Sequence, residues 1–149
     1  MSIALPKFTE PLTEVHYLDA FSNFDTRQIG KREYLMLDQF SFDDEVFGTI
    51  TVPKGFVTNY ASLDALRNIF LFPLYALLAD YGDMSSTVHD YLYSKGSRIT
   101  INGEQVRPTR QQADEIFYRA LRSEGIARWR ANLFFWGVRL FAAKAYEAE

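Results

Sequence analysis

The stretch DMSSTVHDYLYSKGSRITINGEQVRPTRQQADEIFYRALRSEG, residues 83–125, predicts two helices separated by a β-hairpin. Asp83 or Ser85 suits the N-terminal cap of the first helix, because short polar side chains accept hydrogen bonds from the first backbone N–H groups. This helix is expected to run to about Lys95 and to end at Gly96, since glycine is the usual residue just past a helix. A helix, a hairpin and a second helix therefore frame the second half of the chain.

The hairpin and the second helix carry strong local signals. Asn102-Gly103 is typical of a two-residue hairpin turn, in which both central residues need a positive φ. Thr109 and Gln112 have the spacing of a capping box, and Gly125 is the expected stop of the helix. The apolar stripe between them has helical periodicity and consists of Ala113, Ile116, Phe117, Ala120 and Leu121.

The first 60 residues are predicted to be rich in β-structure. REYLMLDQFSF (32–42) and VFGTITVP (46–53) contain strand-forming residues, and the DDE between them suits the turn of a hairpin. Residues 62–80 are expected to be helical in part, with an interruption at Pro73. We therefore predict one α+β domain over 1–149, with N-terminal antiparallel hairpins or a small sheet packed on three to four helices in the mainly helical part, 61–149.

A last helix is predicted over about 127–146. It places Trp129, Leu133, Trp136 and Leu140 on one face, and further aromatic residues widen its apolar surface. A helix that is apolar on most sides is usually buried in a core or in an oligomer interface, and this is the interpretation we favour. The alternative is a helix that lies on a membrane surface.

Composition narrows the classes of function. The chain has no cysteine, which excludes disulfides, thiolate zinc sites and cysteine nucleophiles. A net charge of −3 and the absence of a basic patch in the first half argue against nucleic acid as a partner. The most apolar internal segment, IFLFPLYALLA (69–79), is too short to span a bilayer, and the first residues lack a signal-peptide pattern. A soluble protein made in the cytoplasm is the expectation.

His89 and its neighbours are the candidate site. On the first helix His89 and Tyr93 share a face, whereas Asp90 is offset by about a quarter turn. Asp114 lies at the edge of the apolar stripe of the second helix, and packing of the two helices would bring it to the imidazole of His89. Arg110, four residues before Asp114, is expected to pair with it.

Two interpretations of this site remain open. A carboxylate on one imidazole nitrogen fixes the tautomer and lets the other nitrogen take a proton from water, while Asp90 could bind a metal ion. With no cysteine and only two histidines the ligands would be oxygens, which indicates calcium or magnesium. The alternative, which spacing alone favours, is a buried polar network that only stabilises the fold.

The chain contains VPKGFVTNYAS, YGDMSSTVHDYLY and RQQADEIFYRAL in this order, followed by a VRLF tail helix. Over roughly 52–141 it thereby resembles a bacteriophage and prophage family known as domain of unknown function 1353. The resemblance implies a phage-encoded protein but no activity. The family pattern has aspartate after the threonine where this chain has Asn59, which weakens the case for catalysis, although an Asn oxygen can still bind a metal. Thr58, Asn59 and Ser62 are either a functional loop near His89 or residues that cap the following helix.

The order of a His-Asp-x-x-Tyr helix, a hairpin and an Asp helix is also similar to the small calcium-dependent phospholipases that cleave the sn-2 ester. This resemblance implies that His89 is the general base, Asp90 a calcium ligand, Asp114 the residue that orients the histidine and Tyr93 its partner. The chain departs from that pattern by lacking the cysteines of the secreted enzymes and a Gly-x-Gly calcium loop. DYGDM (80–84) has one glycine near the expected place.

Two functions follow as hypotheses. The first is a phage hydrolase that uses His89, Asp90 and Asp114 on an ester or related bond of the host envelope, with envelope lipid as its partner. The second is a non-catalytic virion component, such as a tail or baseplate protein, which binds other virion proteins or forms a homo-oligomer. A small effector that blocks a host defence is a third option. All three would be made in the host cytoplasm, and the second would end in the virion.

Overall fold

A computed structural model describes residues 20–30, 33–58 and 83–148 of the chain. Five strands come first: β1 Thr26–Gly30, β2 Glu33–Met36, β3 Phe40–Asp44, β4 Gly48–Val52 and β5 Val57–Thr58. The second half contains α1 Asp83–Tyr93, β6 Ile99–Ile101, β7 Glu104–Val106, α2 Arg110–Ser123, α3 Arg128–Phe141 and α4 Ala143–Ala148. The α+β architecture predicted from the sequence is confirmed. The predicted helix over 62–80, Asn59 and Ser62 lie outside the described residues.

The strands form small antiparallel units. The order β1-β2-β5 makes a three-stranded sheet, and β3 pairs with β4 in a separate hairpin. In that hairpin Phe40 faces Val52 and Phe42 faces Ile50, and all four side chains are buried, as expected for alternate residues on one face of a strand. The hairpin therefore supplies one wall of the hydrophobic core.

The segment 32–42 does not form the single strand that was predicted. The chain leaves β2 at Met36, and β3 begins only at Phe40 in a different sheet. Between them the side chain of Asp38 accepts a hydrogen bond from the backbone N–H of Gln39 at 2.8 Å, a local bond that competes with strand pairing. The hairpin itself is confirmed, but Asp43 and Asp44 extend β3 and the turn follows them.

The hairpin between the first two helices has the predicted turn. Asn102 and Gly103 have φ values of 52° and 80°, so both adopt the left-handed conformation that a tight hairpin turn requires. Strands β6 and β7 pair directly on either side. The helix α1 ends at Tyr93, two residues earlier than predicted, and the chain turns around Gly96 before β6. The helix–hairpin–helix unit is thus confirmed.

The capping box of α2 is complete. The Thr109 side chain accepts from the backbone N–H of Gln112, and the Gln112 side chain accepts in return from the backbone N–H of Thr109. Gly125, with φ of 90°, follows the last turn. The predicted apolar stripe of α2 is fully buried, which places the helix in the centre of the core. Local polar signals and burial therefore agree on where α2 begins and ends.

The predicted final helix is interrupted. Ala142 separates α3 from α4, so the segment 127–146 bends where one continuous helix was expected. One side of α3 packs in the core through Ala131, Phe134, Phe135 and Val138. The opposite face is exposed at Trp129, Leu133 and Leu140, whereas Trp136 is half-buried against the core, so the core does not cover this face as a whole. Its burial in an oligomer interface stays a prediction. None of the helices that the structure describes is long and apolar enough to cross a bilayer.

A buried ion pair joins the strands to the helices. The guanidinium of Arg119, on α2, donates to both carboxylate oxygens of Asp44, at the end of β3, over 2.6 and 3.1 Å. Asp44 also accepts from the backbone N–H groups of Val46 and Phe47, which closes the β3–β4 turn. Both charged side chains are almost fully buried. The pair therefore fixes how the hairpin sits on α2.

Candidate functional site

Asp114 is the centre of a buried polar network. Its Oδ1 lies 2.7 Å from Nε2 of His89 and accepts a hydrogen bond from the hydroxyl of Tyr93 at 2.6 Å. A carboxylate can only accept, so in the neutral imidazole the proton is assigned to Nε2 and the unprotonated nitrogen is Nδ1. The carboxylate therefore sets the tautomer of His89.

The two helices position these groups as their spacing predicted. His89 and Tyr93 lie one turn apart on α1, and Asp114 lies in the second turn of α2, just after the capping box. Extensive packing of α1 against α2 brings the three side chains together. The predicted approach of Asp114 to His89 is confirmed, and so is the predicted contact with Tyr93.

The charge of Asp114 is compensated by a residue that the sequence analysis missed. Arg139, on α3, donates from a terminal guanidinium nitrogen to Oδ2 of Asp114 over 2.9 Å, and the Asp114 side chain is fully buried while that of Arg139 is 9% exposed. A buried carboxylate without such a partner would be strongly destabilising. The available signal was a cation within the apolar stretch WGVRLF, since a charged residue on a core helix needs a buried partner.

Arg110 does not pair with Asp114 as expected. Its guanidinium donates to the backbone carbonyl oxygens of Val138 and Arg139, near the end of α3, and also interacts with Tyr93. Arg110 thus anchors the helix that carries Arg139. Its effect on Asp114 is indirect, through the position of Arg139.

Aromatic rings enclose the imidazole of His89. The ring centroid of Tyr93 lies 4.1 Å away and that of Phe117 lies 4.4 Å away. His89, Tyr93 and Asp114 each have 0% of their surface exposed. A substrate can therefore reach His89 only if the chain that covers it moves.

Asp90 belongs to a second polar contact beside the first. It is buried, and its Oδ2 accepts a hydrogen bond from the hydroxyl of Thr58, at the end of β5, over 2.9 Å. Thr58 therefore lies beside the His-Asp helix, as one of the two interpretations of its segment expected, while Asn59 and Ser62 lie outside the described residues. Tyr91 contacts Phe56 edge-on at 5.7 Å and belongs to the core, as expected.

A calcium ion takes six to eight oxygen ligands. Among residues 20–30, 33–58 and 83–148, no group of three or more histidine or carboxylate side chains is arranged to hold a metal ion. Of the two predicted metal ligands only Asp90 is described, and its Oδ2 accepts a hydrogen bond from the hydroxyl of Thr58. Asn59 lies outside the described residues, so the calcium site stays a prediction. The chemistry considered below uses no metal.

Burial raises the pKa of the Tyr93 phenol well above its ordinary value of 10.0. The negative charge of Asp114 and the hydrogen bond to it raise the pKa further, and the guanidinium of Arg110 opposes the shift. The folded protein therefore favours the neutral form of the Tyr93 phenol. The shift should make the stability of the protein depend on pH in the alkaline range.

We expect the free energy of unfolding to fall as the pH rises above about 10. Below that pH Tyr93 is protonated in both states, whereas above it the unfolded chain loses a proton that the folded chain keeps. Each pH unit in this window removes about 1.4 kcal/mol through Tyr93. Burial also raises the pKa of Tyr118, which adds a slope of the same sign. Urea unfolding of the native protein and of Tyr93→Phe across this pH range isolates the contribution of Tyr93. If the free energy of unfolding changes with pH equally in both proteins, the prediction is contradicted.

These features define a small α+β protein in which α1, α2 and α3 share a buried His-Asp-Tyr-Arg network. The chain belongs to the family described as "Protein of unknown function (DUF1353)", whose model matches residues 34–138. The matched region begins within β2 and contains the other strands from β3 to β7, the helices α1 and α2, and α3 as far as Val138. No curated protein and no solved structure matches the chain.

Proposed function

We propose that the protein is a hydrolase in which His89 is the general base and Asp114 orients it. The observation that carries this proposal is the double contact of Asp114 with Nε2 of His89 and the hydroxyl of Tyr93. A base needs a fixed ring and a defined tautomer, and a buried carboxylate supplies both. A phage origin and a substrate in the host envelope are part of the proposal and rest on the sequence resemblance.

The chemistry assigned to His89 is the hydrolysis of an ester or a related acyl bond. Nδ1 takes a proton from water while the water oxygen forms a bond to the carbonyl carbon, and Nε2–H remains bonded to Asp114. The intermediate then breaks its bond to the leaving alkoxide, which receives the proton from Nδ1. The products are an acid and an alcohol, and His89 returns to its starting form.

Arg139 has a definite consequence for this chemistry. Its guanidinium donates to Oδ2 of Asp114, which leaves Oδ1 to accept from Nε2–H of His89. This ion pair reduces the negative charge available to stabilise an imidazolium. We therefore expect a slower base than one held by an uncompensated aspartate.

The test is hydrolysis of a panel of phospholipid and short-chain esters by the purified protein, with calcium or a chelator added in parallel. We expect His89→Gln to lower the rate by at least about a hundredfold, the usual contribution of a general base. A glutamine amide can still donate to Asp114, yet it accepts no proton. Tyr118→Phe is the matched control, since it changes a buried ring outside the network.

Two outcomes would sink this proposal. One is hydrolysis by His89→Gln at the native rate, and the other is no hydrolysis of any ester by a protein whose fold is intact. Far-UV circular dichroism and urea unfolding establish that each variant is folded. A loss of rate on addition of the chelator would show that the reaction also needs a metal ion.

A second candidate function is a non-catalytic virion component in which the network only stabilises the fold. Two observations favour this role: His89 is completely buried, and Asp114 accepts hydrogen bonds from three donors. A buried polar network whose hydrogen bonds are satisfied needs no substrate. Mass spectrometry of purified phage particles tests this role. Absence of the protein from particles would rule it out.

A further inference from the structure

The helix α3 is apolar on two opposite faces. Its inner face packs in the core, whereas Trp129, Leu133 and Leu140 on the outer face are 57%, 41% and 60% exposed. These three residues follow each other at steps of four and seven, so they form one stripe along the helix. Phe141 continues the exposed apolar surface at the end of the helix. Large contiguous apolar surfaces of this kind mark a site of interaction.

The charged residues of α3 itself have a single sign. The helix contains Arg128, Arg130 and Arg139 but no Asp or Glu, although the whole chain has a net charge of −3, and α4 adds Lys144 and Glu147, which offset each other. Arg139 pairs with Asp114, and the other two arginines flank the stripe. The guanidinium of Arg130 lies over the ring of Trp129, 5.1 Å from its centroid. A basic margin therefore borders the exposed stripe.

We propose that the exposed face of α3 binds the surface of an anionic phospholipid bilayer. A helix that lies in the interface needs an apolar face that enters the acyl boundary and basic residues that meet the headgroups, and α3 presents both. Its 14 residues extend over roughly 21 Å, which suits a helix lying in the plane of the membrane but not one crossing it. This binding does not require catalysis by His89, so it goes beyond the proposed function.

A second copy of the chain fits this face less well. Pairing of two α3 helices would bring arginine side chains from both copies together, and α3 supplies no carboxylate to compensate them. An anionic bilayer supplies the missing charge. The charge pattern therefore favours lipid over self-association.

The experiment is co-sedimentation of the full chain with vesicles of phosphatidylcholine alone or mixed with phosphatidylglycerol. We expect binding to the mixed vesicles, weakening as salt is added, and a blue shift of the tryptophan fluorescence on binding. Trp129→Ser with Leu140→Ser should weaken binding by at least about tenfold, and Arg128→Glu by at least about fivefold. All three positions are exposed, so these variants should fold.

Val46→Ser is the matched control, because Val46 is an exposed apolar residue on the β3–β4 turn, away from α3. Its binding should equal that of the native protein. Equal binding to neutral and anionic vesicles would overturn the proposal, as would undiminished binding by the Trp129/Leu140 variant. A dimer in sedimentation equilibrium that this variant dissociates, with no vesicle binding by the native protein, would also overturn it and assign the face to a second copy.

Discussion

Asp114→Ala is expected to lower the free energy of unfolding by about 3–5 kcal/mol, because it leaves a buried arginine without its counter-charge. The change removes the acceptor of Tyr93, His89 and Arg139 together, and the first two are fully buried while the Arg139 side chain is nearly so. Small domains are stable by about 5–15 kcal/mol, so the loss is a large share of the total. Urea unfolding at neutral pH measures it.

Glu115→Ala is the matched control for this variant. Glu115 is the next residue on α2, but its carboxylate accepts only an exposed bond from Gln111, so a change within about 0.5 kcal/mol is expected. The double variant Asp114→Ala with Arg139→Met removes both charges and should recover part of the loss. If the double variant loses more stability than Asp114→Ala and Arg139→Met lose when their effects are added, the ion pair is not the main cause of the loss.

The second large effect is expected for Asp44→Asn, again at about 3–5 kcal/mol. The substitution leaves the Arg119 guanidinium buried beside a neutral amide, and it weakens the acceptor that holds the backbone of the β3–β4 turn. Because this pair joins β3 to α2, both parts of the fold should lose stability together. Denaturant unfolding followed by both circular dichroism and tryptophan fluorescence measures this.

Asp43→Asn provides the comparison for Asp44→Asn. The two aspartates are adjacent on β3, but Asp43 is exposed and accepts from the hydroxyl of Thr49 across the hairpin. A change below about 1 kcal/mol is therefore expected at Asp43. Equal losses at the two positions would show that the hairpin, rather than the buried pair, determines the stability.

Local signals predicted the elements around the site. The positive φ that Asn102-Gly103 tolerates and the reciprocal bonds of Thr109 and Gln112 depend on residues close in sequence, so they could be recognised without a structure. The contact of His89 with Asp114 followed from the faces of two helices joined by a short hairpin. Each of these inferences needed only one element or two adjacent ones.

The features that escaped prediction depend on which distant elements meet. Arg139 lies 25 residues after Asp114, and helical spacing favoured Arg110 because it is a neighbour on the same helix. Likewise, two opposite faces of α3 are apolar, and periodicity cannot tell which of them the core covers. The interruption between Met36 and Phe40 arises because these residues join different sheets, a choice that strand propensity does not encode.

The orientation of the His89 imidazole by Asp114 is the central claim, and nitrogen NMR of the labelled protein tests it most directly. The chain has only two histidines, so a His16→Gln variant assigns the His89 signals. In the neutral imidazole we predict a protonated Nε2, with its proton shifted downfield by the bond to Asp114, and an unprotonated Nδ1. In Asp114→Asn the downfield proton should be lost. A neutral His89 protonated on Nδ1, or a spectrum unchanged in Asp114→Asn, would contradict the account.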